Sequence, residues 1–108
     1  MRGLDSGVYC YNPQRHSVKI LHQGDLRQPL ARACLGQMFI ADAPTVIVIT
    51  GEYGRITDRY GERGMRYAHM ECGHVGQNIC LQAAVLGLGT VAIGAFRDQS
   101  VSETLNLP

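Results

Sequence analysis

A carboxylate, an imidazole and two carboxamides recur along the longest stretch of the chain that nothing breaks. Glu71, His74, Asn78 and Gln82 follow one another at spacings of three, four and four. In a helix that spacing gathers all four side chains into one stripe. Glu71 and His74 at i, i+3 form a candidate acid–base pair, but the whole stripe fits a hydrogen-bonded network in a helix–helix interface better. His69, Cys72 and His74 also carry metal-binding atoms. They do not share one helical face, and a closed zinc site needs a fourth ligand, so no metal is expected. Gly87-Leu88-Gly89 is not a phosphate loop, because no Gly-Lys-Ser/Thr follows it and no strand precedes it. Gly94-Ala95 differs from all of these. Side chains nearly vanish there, so something outside the backbone can approach it closely; the alternatives are relief of a packing clash and a bulge.

The elements that must position these residues are legible in outline. Residues 66–86 read as one helix, with apolar residues such as Met70, Val75, Ile79, Leu81, Ala84 and Val85 on nearly every face. A helix apolar all round is buried. Gly87 supplies a residue suited to positive φ just past the last turn, with Leu88 to close a C-cap contact. The β-prone run 90–93 then leads into Gly94. Nearer the start, residues 7–12 and 16–21 read as two strands joined by the turn Asn12-Pro13-Gln14. Residues 25–36 read as an amphipathic helix capped by Asp25, with Leu26, Leu30, Ala33 and Cys34 on one face and Pro29 early enough to be tolerated. The β-branched run 45–50, bounded by Pro44 and Gly51, reads as a central strand. The polar connection between Gly51 and Gly61 reads as a loop with at most one helical turn.

Composition excludes several classes. With 108 residues, 45% of them hydrophobic and 18% charged, the chain suits one small globular domain over 1–108. A net charge of +1, with arginines interleaved among acids, gives no electrostatic case for nucleic acid or for an anionic membrane surface. Glu71, His74, Gln77, Asn78 and Gln82 interrupt any run long enough to span a bilayer, and the first residues have no apolar signal region. Cys10, Cys34, Cys72 and Cys80 form no CxxC pair and sit in apolar or helical settings. They are expected to be buried free thiols in a reducing cytoplasm.

The order of these motifs carries a resemblance. The Arg59-Tyr60-Gly61-Glu62-Arg63 loop, the Glu71-Cys72-Gly73-His74-Val75-Gly76-Gln77-Asn78 helix, the Gly87-Leu88-Gly89 turn and the Ile93-Gly94-Ala95-Phe96 strand follow one another. In this they resemble the nitroreductase-like flavin oxidoreductases, and more narrowly the branch of dehydrogenases that oxidise thiazolines and oxazolines in ribosomal peptides. The resemblance covers almost the whole chain and matches the C-terminal half of the family domain. It implies an α+β fold: part of an α-β-α sandwich with a mainly antiparallel sheet and a long buried central helix, dimerising through long helices and holding FMN at the interface. It assigns Ile93, Gly94 and Ala95 to the backbone facing the reactive edge of the flavin. It also places Arg59 and Tyr60 where the peptide dehydrogenases carry a Lys-Tyr pair that removes a proton. Tyr60 matches, while arginine cannot exchange a proton near neutral pH as lysine can; the alternative for Tyr60 is a loop tyrosine anchored by a hydrogen bond. The family's Arg-Arg-Ser segment that grips the FMN phosphate has no counterpart in the sequence, so FMN binding is expected to be weak unless another chain supplies those contacts. Two functions follow as expectations: an FMN-dependent oxidoreductase working as a homodimer or higher oligomer, or a non-catalytic interaction subunit that keeps the helix without the cofactor.

Overall fold

The computed structural model describes residues 3–108. Their contacts divide into two groups, one made by residues up to Val46 together with Gly94–Pro108, the other by Ile47–Ile93.

The first group opens with an antiparallel hairpin, β1 (Gly7–Asn12) and β2 (Ser17–Gln23). Its turn is built by Asn12, whose side-chain oxygen accepts from the N–H groups of Gln14 (3.0 Å) and Arg15 (3.1 Å). This Asx pattern explains why the chain reverses there. The register steps between Val8, paired with His22, and Tyr9, paired with Ile20, which leaves Leu21 as a bulge. Gly7 is required at the other end, because a Cβ there would lie 2.6 Å from the His22 carbonyl oxygen.

Helix α1 (Arg27–Ala33) follows. Asp25 holds its start by accepting from the Arg27 N–H at 3.0 Å and pairing with the Arg27 guanidinium at 2.6 Å. Arg27 in turn donates at 2.7 Å to the carbonyl of Ala43, just past the short helix α2 (Phe39–Asp42). The expected face is largely the buried one: Leu30, Ala33 and Cys34 are buried, joined by Ala31, while Leu26 is half-buried. The last helix of the chain (Asp98–Leu105) packs against α1 and adds Val101 and Leu105 to this core, with Ile40 from α2. At the end of α1, Leu35 adopts φ 58° and the Gly36 N–H reaches back to the Ala31 carbonyl at 3.0 Å. A leucine in the left-handed region is strained by contact of its Cβ with the backbone.

In the second group the polar connection is a helix, α3 (Tyr53–Tyr60), not the expected loop. Gly61, at φ 62°, turns the chain into α4 (Arg63–Val85), a helix of 23 residues. The two touch closely at Gly64, where a Cβ would come within 2.9 Å of the α3 backbone at Ile56 and Thr57. The last helix described above is α5. Helix α4 ends as expected: Leu88 N–H donates to the Ala83 carbonyl (2.8 Å) and Gly87 N–H to that of Ala84 (3.1 Å), with Gly87 at φ 71°. This is a Schellman motif.

Two expectations are corrected. Helix α4 is long but not buried, since only Gly64, Ala68 and Ala83 are buried along it, and Met70, Leu81 and Val85 are more than half exposed. Residues 45–50 and 90–93 form no strands. The sheet among the described residues is therefore the two-stranded pair β1–β2. The physical reason is shared: a strand needs a neighbour to bond and an apolar helix needs a surface to cover it.

The pairing of Asp25 with Arg27 makes stability depend on acid. The Arg27 guanidinium, helped by its backbone N–H, holds the Asp25 carboxyl at about 2, well below the usual 3.8. A folded-state value below the unfolded one means that the contribution is complete above about 3.8 and is lost as the pH falls toward 2. The urea midpoint of Asp25→Asn should therefore lie below that of the wild type at neutral pH and converge on it in acid. A difference that stays constant into acid would contradict this.

Candidate functional site

The chain leaves α4 through its Schellman cap and runs through residues 89–96 before entering α5 (Asp98–Leu105). Among the described residues, none of the backbone N–H groups of residues 89–96 makes a hydrogen bond. Thr90 is tied to α4 by its hydroxyl, 3.3 Å from the Cys80 sulfur, and Ile93 is half-buried at the end of its group.

Gly94 and Ala95 open the next part of the first group and are exposed. A Cβ built on Gly94 meets nothing within 4 Å, and its φ lies outside the positive range. Neither a packing clash nor a left-handed backbone therefore requires glycine at this position. What the position offers is bare backbone with free donors, open to a flat acceptor.

Past Ala95 the backbone is pinned. The side-chain amide of Gln37 donates to the Ala95 carbonyl at 2.9 Å and to the Cys34 carbonyl at 2.7 Å. The Arg97 N–H donates to the Ala33 carbonyl at 3.1 Å. The Ala33 and Cys34 carbonyls belong to the C-terminal end of α1, where helix geometry leaves acceptors without intrahelical partners. Sequence reasoning missed Gln37: it lies in an unremarkable connection and reaches a residue 58 positions away.

Tyr60 and Arg59 lie at the end of α3, in the second group. The Tyr60 ring meets the Tyr67 ring edge-on at 5.3 Å, and the Arg59 guanidinium carbon sits 5.4 Å from the centre of the Tyr60 ring. This is cation–π geometry. Among the described residues the Tyr60 hydroxyl has no hydrogen-bond partner, so the ring, rather than the expected hydrogen bond, anchors it. Tyr60 and Tyr67 line an open groove of about 420 Å³ with Ile56, Met70, Glu71 and His74.

The polar stripe is present but is not a buried network. Glu71 and His74 approach to 3.6 Å with both side chains mostly exposed, and Asn78 and Gln82 are exposed as well. His69 is engaged by the Tyr53 hydroxyl at 3.3 Å. The cysteines are free thiols, and burial pushes the Cys34 thiol up. Cys72 and Cys80 are half-buried, but Cys10, in the outer half of β1 where the hairpin is exposed, is exposed against expectation.

A model of the nitroreductase family matches residues 9–108. A protein of Methanocaldococcus jannaschii named "Putative nitroreductase MJ1384" is 50% identical over 105 residues, which cover 97% of this chain and 53% of the relative. The trifolitoxin operon protein TfxC of Rhizobium leguminosarum bv. trifolii is 26% identical over 99 residues, covering 91% of this chain and 28% of that protein. The chain thus spans about half the length of the first relative and under a third of the second. No solved structure matches.

Proposed function

Because the chain belongs to the nitroreductase family, we propose that it is part of an FMN-dependent oxidoreductase whose cofactor lies against residues 93–95. Proteins of this family bind flavin, which when bound supplies the electron transfer between a reduced donor or organic substrate and an acceptor. The observation that carries the reading is Gly94. Its Cβ position is empty, its φ does not demand glycine, and the flanking N–H groups have no partners among the described residues. Such a backbone fits the edge of a flavin ring, since N–H donors can bond N5 or O4 and favour the reduced, electron-rich form.

The finer reading is a peptide-heterocycle dehydrogenase. It is supported by Tyr60, which carries the phenol of the Lys-Tyr pair, and by the similarity to a trifolitoxin operon protein. In this reading Tyr60 takes the substrate proton at its phenol oxygen, and Arg59 holds the Tyr60 ring from its face.

Exposed apolar residues on α4, together with Ile47 at 62% and Val91 at 66%, favour assembly as a homodimer or higher oligomer, or with a second chain that carries the phosphate site. At micromolar concentration the purified chain should sediment as a dimer or larger species; a compact, folded monomer would contradict this part of the proposal.

Substitutions at Gly94 test the site itself. In the chain reconstituted with FMN, Gly94→Val should abolish flavin occupancy or strongly shift its potential, with little change in melting temperature, because a Cβ at this position meets nothing within 4 Å. Gly94→Ala should keep the fold and lose less flavin, since no positive φ penalises alanine. Full occupancy and unchanged potential in Gly94→Val would remove the flavin from this position and favour the non-catalytic interaction subunit.

A further inference from the structure

Resting on that reading, we infer that Gln37 is a positioning residue for the flavin edge: by holding the Ala95 carbonyl it turns the Phe96 N–H outward as the donor that the cofactor meets. The geometry runs through one peptide plane. Gln37 Nε2 donates to the Ala95 carbonyl at 2.9 Å and to the Cys34 carbonyl at 2.7 Å, so both of its amide hydrogens are committed. The chain has no cis peptide bonds among the described residues. In a trans peptide the carbonyl and the following N–H point in opposite directions. With the Ala95 carbonyl drawn toward the end of α1, the Phe96 N–H is directed away from it. That N–H has no hydrogen-bond partner among the described residues.

Two further contacts keep the plane from turning. The Arg97 N–H is fastened to the Ala33 carbonyl at 3.1 Å, one residue beyond the donor in question. The Cys34 carbonyl also accepts from the Gln37 backbone N–H at 3.2 Å, so the tether begins from a residue that is itself held. Rotating the Ala95–Phe96 peptide would break the Gln37 bond. A donor fixed before the ligand arrives does not have to reorient as charge builds on the ring, and this is the condition under which a hydrogen bond favours one redox state.

A simple structural clip would make the same contacts, so the test must read something a clip does not move. Wild type, Gln37→Leu, Gln37→Lys and Gly94→Val are each titrated with FMN, and the dissociation constant, the midpoint potential of the bound flavin and the melting temperature are measured. Gln37→Leu removes both donors. It should weaken binding of the reduced ring about tenfold more than that of the oxidised ring, which lowers the midpoint potential by about 30 mV for a two-electron couple. Gln37→Lys, which keeps an N–H donor, should recover most of that loss. If Gln37→Leu lowers only the melting temperature, or leaves potential and affinity unchanged while Gly94→Val loses flavin, Gln37 is a clip and this inference is overturned with the site intact. If Gly94→Val also binds and poises FMN as the wild type does, or if the wild type shows no saturable FMN binding, the site reading falls and the role of Gln37 falls with it.

Discussion

Two β-prone segments of this chain have backbone donors and nothing within the chain to receive them. Among the described residues, none of the N–H groups of residues 45–51 or 89–96 makes a hydrogen bond. Strands are stable only when a neighbour accepts those bonds, and an isolated pair is already marginal in water. The side chains compound the problem, because Ile47, Val48, Ile49 and Val91 are all at least 41% exposed. A neighbouring layer would accept the bonds and cover the apolar faces together. The same holds for α4 (Arg63–Val85), whose apolar residues remain largely exposed.

Against that background the stretch from Ala95 to Arg97 stands out for being held. The end of α1 leaves carbonyls that helix geometry cannot satisfy, and the chain uses them as anchors for Arg97 directly and for Ala95 through Gln37. Each such bond contributes only about 1 kcal/mol. Their value is directional: they hold the backbone just after Gly94 at the end of α1, on which α5 (Asp98–Leu105) packs.

The parts of the fold that were legible in the sequence are those decided locally. The β1–β2 hairpin, α1, the span of α4 and its glycine cap follow from turn residues, periodicity and capping within a few positions of each feature. Helix α3 (Tyr53–Tyr60) reads as a loop in the sequence, because Gly54 and the intervening polar residues disguise the helical spacing of Tyr53, Ile56, Thr57 and Tyr60 at i, i+3, i+4 and i+7. The strands expected at 45–50 and 90–93 failed for a different reason. A β-branched run records what its residues favour, and whether a partner strand lies beside it is a tertiary fact. The resemblance pointed to Gly94 in one group of contacts and to Arg59 and Tyr60 in the other. The sequence carried no sign of Gln37, because no local pattern announces a side chain that reaches a carbonyl 58 residues away.

The central claim is that the flavin ring meets the backbone around Gly94. The most direct measurement is an isotope-labelled amide spectrum of the chain, recorded while FMN is added. The account predicts that the largest shifts fall on the amides of Gly94, Ala95 and Phe96, with those of the β1–β2 hairpin unmoved. Shifts centred elsewhere, or a spectrum that FMN does not change at all, would contradict it.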